Sequence, residues 1–285
     1  MIKKIINQIE GGKSRKLSSL LLILFLSLNL TPSSAQCKLV NSAIKEGEEI
    51  KYDLFFHWGL VWKKAGDATY TTTAVTQDGK PAYKMELLAS TNNSADVFFK
   101  MRDTLVSVID HDMVPLYYKK AAEEGKRYTI DEASYSYENN KVKVDQQRTH
   151  KDGSITKLST QQDECVYDMI SILAKARSLD FKKYKKGDRI NFPMATGRRI
   201  DNISMEFRGT ENIKTENRTT FRCNVFGLVS KTKKNKEKDL ITFYITDDHN
   251  HLPIRIDFNL NFGSAQVILS SLKGQRYPLE SIVKK

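Results

Sequence analysis

From Glu49 onward, apolar and polar residues alternate with a period of two, the signature of strands with one buried face. The stretch IKYDLFFHW sets Ile50, Tyr52, Leu54, Phe56 and Trp58 on one side and Lys51, Asp53 and His57 on the other. The same pattern predicts strands at Ala68–Val75, Tyr83–Ala89, Thr104–Ile109, Arg127–Ile130, Ser134–Tyr137 and Lys141–Thr149. Further strands are predicted at Arg189–Phe192, Ile203–Phe207, Phe221–Ser230, Leu240–Thr246, Ile254–Leu260 and Gln266–Leu272. Asp78-Gly79, Glu124-Gly125, Asn139-Asn140 and Asp152-Gly153 fall between them and supply residues that tolerate positive φ. Short strands at this spacing predict an all-β protein: a large curved antiparallel sheet or an open, barrel-like sandwich. Half-polar strands such as ATYTTTAV suit a sheet that is wet on one face.

One segment departs from this period. In DECVYDMISILAKARSL, Val166, Met169, Ile170, Leu173 and Arg177 recur at helical spacing, which predicts one mid-chain helix over 164–178 with Asp163 at its cap. Such a helix would cover or plug an open end of the sheet. No repeat, low-complexity tract or Pro-rich linker divides the chain, so residues 36–285 read as a single all-β domain of two lobes joined near the helix.

The N-terminal pattern is different again. Lys3, Lys4, Lys13, Arg15 and Lys16 precede the apolar run Leu17–Leu30, and Ser33 and Ala35 follow it. That run is shorter than the ~20 residues a spanning helix needs, and its flanks are those of a secretory signal peptide over 1–35. Gln36 before Cys37 is a poor fit to the small residue that lipidation of the cysteine requires, so the expected mature chain starts at Gln36 without a lipid. The formal charge of +12 falls to +8 once that leader is removed. Residues 175–238 hold 18 Lys and Arg against 7 Asp and Glu, a bias that favours anionic partners, with nucleic acid excluded by export. The cysteines of the mature chain are Cys37, Cys165 and Cys223, enough for one internal disulfide. Cys165 is the expected member of that bridge, with Cys37 favoured over Cys223 because a loose N-terminal segment gains most from being fastened.

Three stretches carry a family resemblance. GEEIKYDLFFHWGLVWKKAGDA (Gly47–Ala68) resembles the opening of the bacterial domain of unknown function 3108 family. YDMISILAKAR (Tyr167–Arg177) and DDHNHLP (Asp247–Pro253) are similar to its central helix and late strand-turn. The resemblance spans roughly Gly47–Gly274 and implies an exported all-β envelope protein, similar in fold to group 4 capsule lipoproteins and loosely to lipoprotein-carrier half-barrels. It implies no catalytic residues.

Candidate chemistry is sparse. His249 and His251 in DDHNH are the densest group of metal-ligand types, but the same residues make a good polar turn. Asp53 with Asp67, and Asp103 with Asp110, are the carboxylate pairs a glycan hydrolase would use. No Gly-x-Ser-x-Gly elbow, Cys-x-x-Cys or phosphate-binding Gly loop occurs, so neither an enzyme nor a cofactor is expected. Phe55, Phe56, Trp58, Trp62, Tyr117 and Tyr118 are placed near strand ends as the wall of a ligand hollow, with Phe56, Trp58, Trp62 and Tyr118 the chosen ligand-binding residues. Lys231, Lys233, Lys234 and Lys236 form a basic hairpin tip suited to an anionic partner. The expected function is an exported cell-envelope protein that binds or carries a lipid or glycan in the hollow of the sheet. The alternative is an assembly factor for surface polysaccharide or outer-membrane components, with a glycan or ester hydrolase third. The expected partners are an envelope lipid, glycan or protein, with peripheral contact at a membrane.

Overall fold

The computed structural model describes residues 37–58, 61–231, 237–259 and 263–283. The predicted leader, Gln36, Lys233, Lys234 and Lys236 lie outside the described residues, as do the side chains of Trp58 and Lys231. One antiparallel sheet of 14 strands has the order β8-β7-β6-β5-β4-β3-β2-β1-β14-β13-β12-β11-β10-β9. Its first meander is β1 (Glu49–Trp58), β2 (Val61–Gln77), β3 (Lys80–Thr91), β4 (Met101–Asp110), β5 (Pro115–Glu124), β6 (Arg127–Glu138), β7 (Lys141–His150) and β8 (Ile155–Gln162). The second is β9 (Arg189–Ala195), β10 (Ile200–Lys214), β11 (Thr220–Lys231), β12 (Glu237–Thr246), β13 (Pro253–Asn259) and β14 (Ser264–Lys273). The two meanders join where β1 pairs with β14, from Glu49↔Lys273 to His57↔Ser264.

This connectivity sorts the turns. His57 lies beside the start of β14, so the β1–β2, β3–β4, β5–β6, β7–β8, β9–β10, β11–β12 and β13–β14 connections share one end of the sheet, here called the tip end. The remaining turns, the start of β1 and the chain after β14 share the other, the anchor end. Turn chemistry agrees with the sequence: Asp78, Gly79, Gly125, Asn139, Asn140 and Gly153 all have positive φ.

Three expectations are corrected. β5 and β8 are strands that the alternation did not mark, and β6 is one strand where two were read. In β1 the buried positions run Ile50, Tyr52, then Phe55, because pairing with β2 shifts register between Leu54 and Phe55; Phe56 is only half-buried. The chain carries α1 (Asn93–Asp96), a single turn, and α2 (Met169–Arg177), which begins five residues later than expected. Tyr167 is extended instead: its N–H donates to the Pro193 carbonyl (3.0 Å) and its carbonyl accepts from Ala195 N–H (2.8 Å), which covers the free edge of β9. Asp168, not Asp163, caps α2. Its carboxylate accepts from Ile170 and Ser171 N–H, and Ser171 Oγ accepts from Asp168 N–H.

α2 is buried on more than one side. Ile170 and Ala174 pack with Ile50, Tyr70, Met85, Leu105, Leu252 and Ile254. Ile172 and Ala176 pack with Tyr118, Tyr135, Val144, Phe192, Phe226 and Ile245. The helix separates two cores inside one curled sheet, and both are filled by side chains. Cys37 and Cys165 are joined by a disulfide with a Cα–Cα distance of 5.2 Å, and Cys223 is a buried thiol.

Candidate functional site

Near the tip end, the inner face of the first meander changes from apolar to charged. Lys120 on β5 faces Asp131 on β6, and Asp131 faces Arg148 on β7. Alternation puts them on the side of Tyr118, Ala133 and Val144, which belong to the core. Arg148 donates through Nε and Nη2 to both Asp131 oxygens at 2.5 Å, a bidentate pair with side chains only 12% and 6% exposed. Lys120 donates to Glu124 at 2.8 Å and lies 3.6 Å from Asp103 on β4. Burial pushes the Asp103 carboxyl up to about 6, against the opposing pull of Lys120. Burial works in the same direction on Glu124, but its contact with Lys120 outweighs that and holds it below the usual carboxylate range.

This row is incompletely satisfied. Asp103 Oδ1 and Gln146 Nε2 are buried with no hydrogen-bond partner among the described residues, a costly condition for polar atoms away from water. Gln146 Oε1 accepts from Gly197 N–H (3.0 Å), which draws the β9–β10 turn of the second meander against the row. Gly197 has φ +83°, and a Cβ there would lie 2.3 Å from Asp131 Cβ, so only glycine allows this approach. A depression of about 300 Å³ crosses β2, β3 and β4 beside the row, where Ala68, Ala89 and Asp103 lie in register. A smaller one, about 230 Å³, lies by the disulfide; there Lys175 Nζ donates to Tyr167 Oη (3.0 Å) and sits 4.2 Å from its ring centroid. Burial lowers the pKa of Lys175.

The sequence-predicted residues do not converge. Tyr118 is 3% exposed in the middle of β5 and belongs to the core, not to a ligand wall. Phe56 on β1 and Trp62 on β2 lie four and three strands away from β5. Trp62 is exposed and stacks parallel on Phe55, with centroids 5.2 Å apart. Nor do the described residues of the basic segment 175–238 form one patch. Lys182–Lys186 lie at the anchor end and Arg198 and Arg199 at the tip end, while Arg177 is inside the molecule. Arg189 pairs with Glu206 and Glu237, Arg208 with Asp239, and Arg222 with Asp247. Asp53 and Asp67 face one another with Lys64 bridging them at 2.7 and 2.6 Å, whereas Asp103 and Asp110 lie toward opposite ends of β4.

DDHNH forms a turn that fastens the anchor end. Asp248 accepts from Thr246 Oγ1, Asn250 N–H, and Ser281 Oγ and N–H. Asn250 Nδ2 donates to the carbonyls of Tyr277 and Pro278. His251 Nδ1 is 2.6 Å from the Arg177 carbonyl and its ring packs on Phe181, while His249 packs on Tyr277. Sequence reasoning missed what this turn surrounds. The Arg177 guanidinium is completely buried, bonded to both Glu48 oxygens (2.5 and 2.8 Å) and to the Asn250 carbonyl. A lone arginine at an apolar helical position was the available signal.

A curled antiparallel sheet filled by a helix, with its loops gathered at two ends, defines a β-barrel-like protein. The chain belongs to the family of proteins of unknown function DUF3108, whose model matches residues 51–270. The fold is similar to that of a β-barrel-like protein of domain of unknown function DUF1849 from Brucella abortus, at TM-score 0.51 and 8% identity over 83% of this chain and 98% of that one. Also similar is a Bacteroides fragilis protein described as exported and YmcC-like in fold, at TM-score 0.35 and 11% identity over 84% and 100% of the two chains. No curated protein matches the sequence.

Proposed function

We propose that the protein is exported to the cell envelope and acts there as a non-catalytic binding protein, holding a glycan or the polar headgroup of a lipid at the tip end. The observation that carries this reading is the inward row Asp103–Lys120–Asp131–Arg148, with a buried Asp103 oxygen and Gln146 nitrogen that have no hydrogen-bond partner among the described residues. Fixed donors and acceptors of both signs suit hydroxyl-rich or phosphorylated groups. Both cores are packed, so the bound group sits at the mouth and not deep in the sheet. The leader-like N-terminus and the Cys37–Cys165 disulfide support an oxidising, extracytoplasmic location.

The test is native mass spectrometry of the protein purified from a bacterial envelope, with Lys120→Met beside it. A bound glycan or lipid is expected on the wild type. Its affinity should fall about tenfold or more in the variant, the worth of one charge-assisted hydrogen bond. Turnover of a glycan or ester substrate, or stoichiometric capture of an envelope protein with no small molecule bound, would overturn the reading.

A further inference from the structure

We infer that the tip end docks on an anionic lipid bilayer by inserting the β3–β4 loop, with Val97 and Phe98 as the penetrating side chains. The inference rests on the binding reading above and names a membrane surface as the source of the bound anionic group.

Val97 and Phe98 are each 81% exposed, the largest exposure of any big apolar residue described after Val40. Adjacent apolar side chains held this far into water mark an interaction surface. They are not left out by slack. Asn92 caps α1, its N–H donates to the Ala65 carbonyl (2.8 Å), and Ala95 N–H donates to its side chain. Asp96 accepts from Thr91 Oγ1 (2.5 Å) and from both terminal nitrogens of Arg102 (3.0 and 2.5 Å). Thr91 Oγ1 in turn accepts from Met101 N–H (2.8 Å). These bonds fix both feet of the loop and close its polar groups on themselves, so the tip is presented in one conformation with its apolar side chains outward.

The surroundings match a bilayer interface. On one side the loop abuts β2, where half-exposed Trp62 is followed by exposed Lys63. On the other, Gly125 N–H donates to the Lys100 carbonyl (2.7 Å), which brings Lys126, Arg127 and half-exposed Tyr128 alongside. An aromatic residue on each flank, lysines and an arginine between, and aliphatic and phenyl side chains at the summit is the arrangement by which a peripheral protein meets anionic headgroups and the acyl boundary together. The anchor end carries both signs, with Asp78, Asp112, Asp163, Glu164, Glu216 and Asp247 beside Lys80, Lys182, Lys183, Lys185, Lys186, Arg218 and Arg276. The exposed apolar pair with its cationic flanks therefore orients the molecule tip end down.

The experiment uses the protein and vesicles of phosphatidylglycerol with phosphatidylcholine, with pure phosphatidylcholine as the reference. Association is expected with the anionic vesicles and should weaken as salt shortens the screening length. Val97→Ser with Phe98→Ser should lower it roughly a hundredfold or more, the transfer value of the two side chains removed from lipid. Lys63→Gln with Lys126→Gln should lower it by roughly thirtyfold, each charge acting at the headgroup surface. Lys80→Gln at the anchor end should leave it unchanged. Phe98→Trp should be quenched by brominated acyl chains on binding, a readout independent of the affinity measurements. An unquenched Trp, or a serine double variant that binds as well as wild type, overturns the inference. Binding of an acidic oligosaccharide without any vesicle association overturns it and leaves the proposed function standing. Binding of neither overturns both.

Discussion

At the anchor end, groups distant in sequence are tied together in the interior. Glu48 bonds Arg177, Asn250 holds Tyr277 and Pro278, Asp248 holds Ser281, and Cys37 is fastened to Cys165. At the tip end most ties join neighbouring hairpins: Asn92 to Ala65, Gly125 to Lys100, Lys151 to the Lys126 carbonyl. Gly197 against Gln146 is its longer-range link between meanders. The difference teaches how one meandering sheet can supply both a clamp and a working surface. Long-range polar ties make an end expensive to alter, whereas locally closed loops accept new side chains without disturbing the core.

The largest effect that would break this contrast is at Glu48. Glu48→Ala leaves the Arg177 charge buried without its carboxylate, which should cost about 3–5 kcal/mol and lower the melting temperature more than any tip-end loop substitution. A Glu48→Ala protein that melts like wild type would remove the claim that the anchor end is the clamp. Next is the disulfide. Cys37→Ser opens a link across a sequence separation of 128 residues and should cost about 2–4 kcal/mol in chemical denaturation. Equal midpoints for oxidised wild type and variant would contradict this. The smallest concerns Asp168, between the two ends. Burial raises its carboxyl to about 6, so the folded state holds a proton that the unfolded chain releases near the ordinary value of 3.8. Its contribution is therefore fully present below about pH 4 and is lost as pH rises to about 6, a change of up to about 3 kcal/mol. Asp168→Asn keeps a capping side chain and should flatten melting temperature against pH across that window. An unchanged slope would assign the pH dependence to other groups, Asp103 first, whose carboxyl is shifted the same way.

Much of the architecture was legible because strand alternation and turn chemistry are local. Asp78-Gly79 and Asn139-Asn140 predicted their hairpins from backbone preference alone. β5 escaped because its inward side is Tyr118, Lys120, Ala122 and Glu124, which reads as polar although Lys120 and Glu124 are paired there. β8 escaped because its side chains are mostly exposed at the sheet edge and leave no hydrophobic period. The start of α2 was misplaced because both Asp163 and Asp168 are competent caps, and only the bridge from Tyr167 to Met194 decides between them. The aromatic wall drawn from Phe56, Trp62 and Tyr118 failed for a related reason: composition cannot say which strands are neighbours.

By itself the sequence determined the all-β class, the single mid-chain helix, the turn positions and the family, since each is written in short-range pattern. The tertiary structure alone decided that β1 pairs with β14, and with that which turns share an end. From this one pairing follow the meeting of Glu48 with Arg177 and the closing of the row from Asp103 to Arg148 by Gly197 of the other meander. Contacts across tens to hundreds of residues depend on how the whole sheet curls around α2, and no local preference of the chain encodes that closure.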